Sequence, residues 1–290
     1  MAQKLEVFQS LWSMELRRPD GFTWKDEEKF AMISEAGYDG VALDFAWSDV
    51  ESARKCLPIM QKYHLGCALI AFPTTPEDLQ GVIDLAADFD TRYIAINARY
   101  FPWTPAEAVP RICQWLEMSE KAGIPTYLET HRLTVTNDVV FTLDLLDMVP
   151  ELELVADLSH IVVAREFPEP VDDMHNGWID CILKRSASLQ GRISNREQIQ
   201  VPLGFPQHAY WENQYAQWWK QGFQYWRKRS DENAVMNFLC ELGPPPYAIT
   251  DKNGKELSDR WEEALLLKKQ VKEIWRSLET TASDFELGNR

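Results

Sequence analysis

Short apolar runs rich in β-branched and aromatic residues recur along the chain, each followed by a loop and an amphipathic stretch. A spacing of roughly thirty residues between such runs is what successive βα units produce. Eight runs are expected to be strands: Leu5 to Met14, Gly40 to Phe45, Gly66 to Phe72, Arg92 to Ala98, Thr126 to His131, Leu152 to Asp157, Leu189 to Asn195 and Val235 to Gly243. The run Cys67-Ala-Leu-Ile-Ala-Phe72 is apolar without alternation, which suits a parallel strand covered on both faces. Two helix starts, Thr75-Pro76-Glu77-Asp78 and Thr104-Pro105-Ala106-Glu107, place a capping hydroxyl first, proline next and acid in the first turn. A last helix over about residues 259–278 carries Trp261, Ala264, Leu265, Val271, Ile274 and Trp275 at helical spacing. It is expected to close an outer ring and to leave 279–290 as a frayed tail.

Eight strands each followed by a helix form either a closed barrel or an open doubly wound sheet. No G-x-G-x-x-G turn follows the first strand, which weakens the open-sheet, dinucleotide-binding alternative. The expected fold is α/β, a single (β/α)8 TIM barrel over residues 1–290, because no stretch resembles a linker between domains.

Composition adds exclusions. The net charge of −15 is spread along the chain with no basic stripe, so nucleic acid is not an expected partner. No apolar run approaches a membrane span and the Met-Ala-Gln-Lys start lacks the parts of a signal peptide, so no membrane partner and a cytoplasmic location are expected. Five cysteines, at 56, 67, 113, 181 and 240, form no C-x-x-C pair, which argues against a disulfide framework or a zinc ribbon.

Three strand ends carry the chemistry: Tyr-Leu-Glu129-Thr-His131, Leu-Val-Ala-Asp157-Leu-Ser-His160 and Phe-Leu-Cys-Glu241-Leu-Gly243. A carboxylate at the mouth of an apolar strand is costly unless a cation offsets it, so three of them converging point to a divalent metal site. A barrel brings all strand ends to one mouth, whereas an open sheet scatters them. Each acid has a structural alternative: Glu129 as a bridge to Arg132, Asp157 as a helix cap, Glu241 as an acceptor of backbone amides.

Glutamate on strand five, Asp-x-x-His on strand six and glutamate on strand eight resemble the xylose isomerase-like TIM-barrel superfamily, and within it the sugar phosphate isomerase/epimerase group. Ala36-Gly-Tyr-Asp-Gly-Val41 entering strand two is similar to that group as well. The resemblance spans nearly the whole chain. It implies one divalent ion held by Glu129, Asp157, a strand-seven residue and Glu241, with Glu129 and Glu241 doubling as the acid/base pair. Strand seven departs from the group's usual histidine: it reads Leu189-Gln190-Gly191-Arg192-Ile193-Ser194-Asn195-Arg196. Hydroxypyruvate isomerase-like members use glutamine there, which makes Gln190 the implied fourth ligand. Arg192 shares its strand parity and is the rival occupant; if Arg192 points at the ion, metal binding itself is in question.

An oxygen-dominated donor set favours Mn²⁺ or Mg²⁺, with Co²⁺ or Zn²⁺ as possible substitutes. Arg192, Arg196, His160 and His131 are candidates for substrate binding, since guanidinium and imidazole groups pair with carboxylate, phosphate or hydroxyl arrays. Trp12, Asp44 and Trp47 are candidate pocket linings, and the long connection at about 197–208 is a candidate lid or dimer contact. The implied activity is isomerisation or epimerisation of a small keto-sugar or related polyol, by proton transfer through an enediolate stabilised by the ion. The same residues serve a lyase or dehydratase acting on a keto-polyol, cyclic keto-acid or 3-keto-glycoside. A catalytically silent sugar-binding barrel, with Arg192 in the place of the ion, is the reading from a different class. The resemblance also implies a homo-oligomer as a possible state.

Overall fold

The computed structural model describes residues 3–16, 23–46 and 49–287. Eight parallel strands close into a barrel in sequence order: β1 Lys4–Ser10, β2 Gly40–Asp44, β3 Gly66–Ala71, β4 Thr91–Ile96, β5 Thr126–Glu129, β6 Leu154–Ala156, β7 Ser186–Gly191 and β8 Val235–Cys240. Around them lie α1 Asp26–Glu35, α2 Val50–Tyr63, α3 Pro76–Ala86, α4 Pro105–Ala122, α5 Val139–Met148, α6 Leu158–Ala164, α7 Asp173–Lys184, α8 Ala209–Arg229 and α9 Arg260–Leu287. The expected (β/α)8 barrel is what forms. Among the described residues no helix is long and apolar enough to cross a membrane.

Two apolar layers follow from strand parity. Residues pointing inward (Phe8, Ala42, Ala68, Ile70, Tyr93, Ala95, Val155 and Leu239) fill the barrel. Residues pointing outward, such as Val7, Val41, Leu69, Leu154, Leu189 and Phe238, pack against the helices in a second, larger cluster. The aromatic-rich segment that begins at Tyr210 belongs to that outer layer: Trp211, Tyr215, Trp218, Trp219, Phe223 and Trp226 are the buried face of α8.

The strands stop earlier than hydrophobicity alone suggests, and the reason is local. β1 ends at Ser10 and the chain turns into a 3-10 segment, Trp12–Met14, so the apolar residues expected to extend the strand are buried by a turn instead. β6 contracts to Leu154–Ala156 because Asp157 caps α6, its Oδ1 accepting from the Ser159 amide at 2.9 Å. β7 starts at Ser186, ahead of the expected Leu189, and ends at Gly191. Ser186 and Ser188 hid that start from a hydrophobic pattern; their hydroxyls are buried by donating to the carbonyls of Ile182 at 2.8 Å and Asn237 at 3.0 Å. At the other end of the chain α9 does not stop near 278 but continues to Leu287.

The long connection after β7 is tied down at its middle. Gln200 is buried, donating its side-chain amide to the Gly243 carbonyl at 3.1 Å and accepting from the Gly243 amide at 2.8 Å. This clamps the loop to the end of β8, next to Glu241.

Candidate functional site

Each of the three strand-end acids is delivered by a different rule of local structure. Glu129 is the last residue of β5 and shares inward parity with Tyr127, whose side chain packs on the barrel interior. Asp157 is at once helix cap and site residue: Oδ1 takes the Ser159 amide and hydroxyl, leaving Oδ2 for the barrel mouth. The structural alternative for Asp157 therefore holds alongside the functional one, on separate oxygens. Glu241 follows β8, its amide bonded to the Gly191 carbonyl at 3.3 Å. One oxygen from each of Glu129, Asp157 and Glu241 lies within 4.8 Å of the other two, and all three residues are buried.

Arg192, of the two strand-seven candidates, is the one that reaches the acids. Its Nε donates to Asp157 Oδ2 at 3.1 Å and its Nη2 to Glu241 Oε2 at 2.7 Å, with only 1% of the residue exposed. Strand order explains the bridge, since β7 lies between β6 and β8. The guanidinium also faces the rings of Tyr247 at 4.7 Å and Trp12 at 5.8 Å, and those rings meet edge-to-face at 5.2 Å. Gln190 sits two residues lower on the same face of β7, level with Leu239. It is 1% exposed and among the described residues neither amide atom has a partner, an arrangement that costs stability unless something is bound there.

Electrostatics follow from burial. Desolvation, then the Glu241 and Asp157 charges, push the Glu129 pKa well above the usual carboxylate range, while the Asn97 amide donating at 3.0 Å acts against the rise. Glu241 is pushed up to about 7 by desolvation, with the Arg192 guanidinium restraining it. Burial works against the charge on Arg192 itself, but Asp157 and Glu241 more than offset it and its pKa rises. Asp44, also buried, is raised to about 6 by desolvation.

The histidines take different parts. His160 is buried, its ring 3.8 Å from that of His131, and its pKa falls well below normal through desolvation and then the neighbouring His131 and Arg192. Its Nε2 lies 3.5 Å from Asp157 Oδ2. His131 lines the cavity above Glu129, and desolvation lowers it to about 4. Arg196 is not brought in: it is half-exposed and pairs with Glu197 at 3.1 Å and Glu166 at 3.6 Å.

Above the acids opens a cavity of about 210 Å³, lined by Glu129, Glu241, Arg192 and His131 together with Trp12 and Asp44. Trp47 lies outside the described residues. Asn97, Arg99 and Tyr247 also line it and were not anticipated. Asn97 was open to discovery, because a polar residue ending the run Tyr93-Ile-Ala-Ile obeys the same strand-end rule as the acids. Arg99 and Tyr247 reach the cavity from loops and left no such mark.

The donor set fits a divalent ion by spacing and type. Oxygens within 4.8 Å of one another match ligands around a centre with bonds of about 2.0–2.6 Å, and the orphaned Gln190 amide offers a neutral oxygen from β7. Two of those residues, Asp157 and Glu241, are also the ones Arg192 holds.

No family model matches the sequence, and no curated protein matches it. Solved structures do. A xylose isomerase-like TIM barrel protein from Mycobacterium smegmatis, in complex with magnesium, superposes with a TM-score of 0.61 over 93% of this chain and 97% of that one, at 15% identity. The chain shares its (β/α)8 barrel fold with this xylose isomerase-like protein. Within that fold, a D-allulose 3-epimerase from Methylomonas sp. superposes at 0.59 over 94% of this chain and 99% of the other, at 15% identity. The probable 3-DHS dehydratase AsbF from Bacillus anthracis does so at 0.51 over 81% and 92%, at 16% identity. At these identities the xylose isomerase-like resemblance is one of architecture, and the chemistry rests on the residues at the barrel mouth.

Proposed function

We propose that this protein is an isomerase or epimerase of a small keto-sugar or related polyol, moving a proton at the carbon next to a carbonyl. The observation that carries this reading is the convergence of Glu129 and Glu241, from β5 and β8, with Asp157 on one buried spot beneath a cavity. Two carboxyl groups whose proton affinities are raised by burial suit the exchange of a carbon-bound proton near neutral pH. Glu241, raised to about 7, is the base in the ion-free arrangement, and Glu129, oriented by Asn97, is the acid. His131 and Arg192 border the same cavity and would hold substrate oxygens, while the aromatic walls Trp12 and Tyr247 exclude water. Glu129, Asp157, Glu241 and Gln190 would hold a divalent ion, Mg²⁺ or Mn²⁺ by the hardness of the donors. Such an ion supplies Lewis-acid stabilisation of the negative charge that develops on the substrate oxygens.

The test is proton NMR in deuterated water with a panel of keto-pentoses, keto-hexoses and their 3-keto relatives. The expected result is deuterium entering at the carbon beside the carbonyl, with Glu129→Gln and Glu241→Gln lowering the rate by at least about a hundredfold. An unsaturated product would instead identify a lyase, the activity suggested by the dehydratase of similar fold. Full activity in either glutamine variant would sink the acid/base assignment.

A further inference from the structure

Arg192 and a divalent ion make claims on the same carboxylates. Asp157 Oδ2 and Glu241 Oε2 each receive an Arg192 N–H, and both residues contribute to the triad whose spacing suits an ion. A second cation brought to those carboxylates would meet the guanidinium in a buried, poorly screened setting, where like charges repel strongly. We propose that Arg192 is a tethered counter-cation that excludes the divalent ion: the guanidinium and the ion are alternative occupants of the triad, and the ion enters only as Arg192 leaves. This rests on the triad being an ion site, as above, and adds how that site is gated.

Three features of the structure favour a guanidinium that can move. Its Nη1 is buried with no hydrogen-bond partner among the described residues, so the bridging position leaves one donor group unsatisfied there. Tyr247 and Trp12 offer ring faces beside it, and a cation over an aromatic face keeps part of its stabilisation. Gln190, just below on the same strand, holds an unpaired amide oxygen that the bridging guanidinium does not use. The competition makes the apparent affinity for the ion equal to the intrinsic affinity multiplied by the fraction of molecules in which Arg192 has withdrawn.

Titration of chelator-treated protein with Mn²⁺, following the free ion by electron paramagnetic resonance, tests this directly. Arg192→Met removes the charge and adds no hard ligand; it is expected to bind one Mn²⁺ at least about tenfold more tightly than the wild type. Arg192→Lys, which keeps the charge, is expected to stay within about threefold of the wild type. Equal or weaker binding by Arg192→Met overturns the exclusion while leaving the triad as an ion site. Binding by neither protein overturns both. A crystal structure of wild-type protein with Mn²⁺ provides a check that needs no variant to fold. Arg192 must then have left at least one of Asp157 and Glu241; an ion on the triad with both bridges intact refutes the proposal.

Discussion

Gly191 stands between Gln190 and Arg192 on β7 and points outward, and replacing it by alanine probes how rigidly the strand is held. A Cβ built there would lie 2.5 Å from Cε1 and 2.8 Å from Cζ of Phe238, and 3.4 Å from the Leu239 carbonyl oxygen. Phe238 cannot simply yield, because its ring is met by Trp219 at 5.3 Å and Phe223 at 6.2 Å, and it is fully buried. Overpacking of this kind costs about 1–3 kcal/mol. Gly81, in the exposed middle of α3, is the opposite case: a Cβ there meets nothing within 4 Å. Gly81→Ala is expected to stabilise by about 0.5–1 kcal/mol, the helix-propensity difference. At about 2.1 cal/mol/K of unfolding entropy per residue over 290 residues, the first change corresponds to a fall in Tm of about 2–5 °C and the second to a rise of about 1–2 °C. Urea melts give the free energies, with an unchanged slope showing that the comparison is fair. A double variant with Phe238→Leu should lose less than the sum of the two single changes, because the smaller side chain makes room. If Gly191→Ala unfolds together with the wild type, the wall formed by Phe238 is soft and the rigid-strand argument fails.

Other expectations follow from single contacts. Asn97→Ala removes the amide that donates to Glu129 at 3.0 Å; a lost hydrogen bond to a carboxyl group is expected to lower kcat by about tenfold, with KM little changed. Arg260 is buried, bonded to Glu256 at 2.7 Å and to the Glu15 carbonyl at 2.8 Å, and also donates to the Ser13 carbonyl. Arg260→Met should destabilise by about 3 kcal/mol in urea melts, since it strands those acceptors; a loss below about 1 kcal/mol would mean that they find water. Asp78 is held down to about 2 by the Thr74 hydroxyl, then by the Thr74 and Thr75 amides. A depressed folded-state pKa stabilises above the unfolded value of about 3.9, and the benefit disappears as pH falls toward 2. The gap in Tm between wild type and Asp78→Asn should therefore be wider at pH 5 than at pH 2, and small at both because the group is exposed.

Much of this barrel is legible along the chain because parallel strands buried on both faces must be apolar throughout. The run Cys67 to Phe72 is nearly a direct image of β3. The caps at Thr75 and Thr104 likewise form as written, each hydroxyl accepting from the residue three positions on. Strand-end acids are visible for the converse reason: a charge among apolar residues stands out, and Glu129, Asp157 and Glu241 do meet. Where polar residues serve the barrel interior the pattern fails. Ser186 and Ser188 shortened the apparent β7, though their hydroxyls are satisfied by backbone carbonyls.

What sequence determined by itself was therefore the repeat, the parity and the identity of the three acids, since these depend on residues close together along one strand or helix. That a guanidinium meets two of those acids was decided only by tertiary structure. Gln190 and Arg192 share parity on β7, and local sequence treats them alike. The closed strand order sets β7 between β6 and β8, so that the longer, charged side chain reaches both Asp157 and Glu241 while the glutamine stays unpaired beneath them. Height along a strand and reach between neighbouring strands are properties of the assembled barrel, and they place a guanidinium on two of the three converging carboxylates.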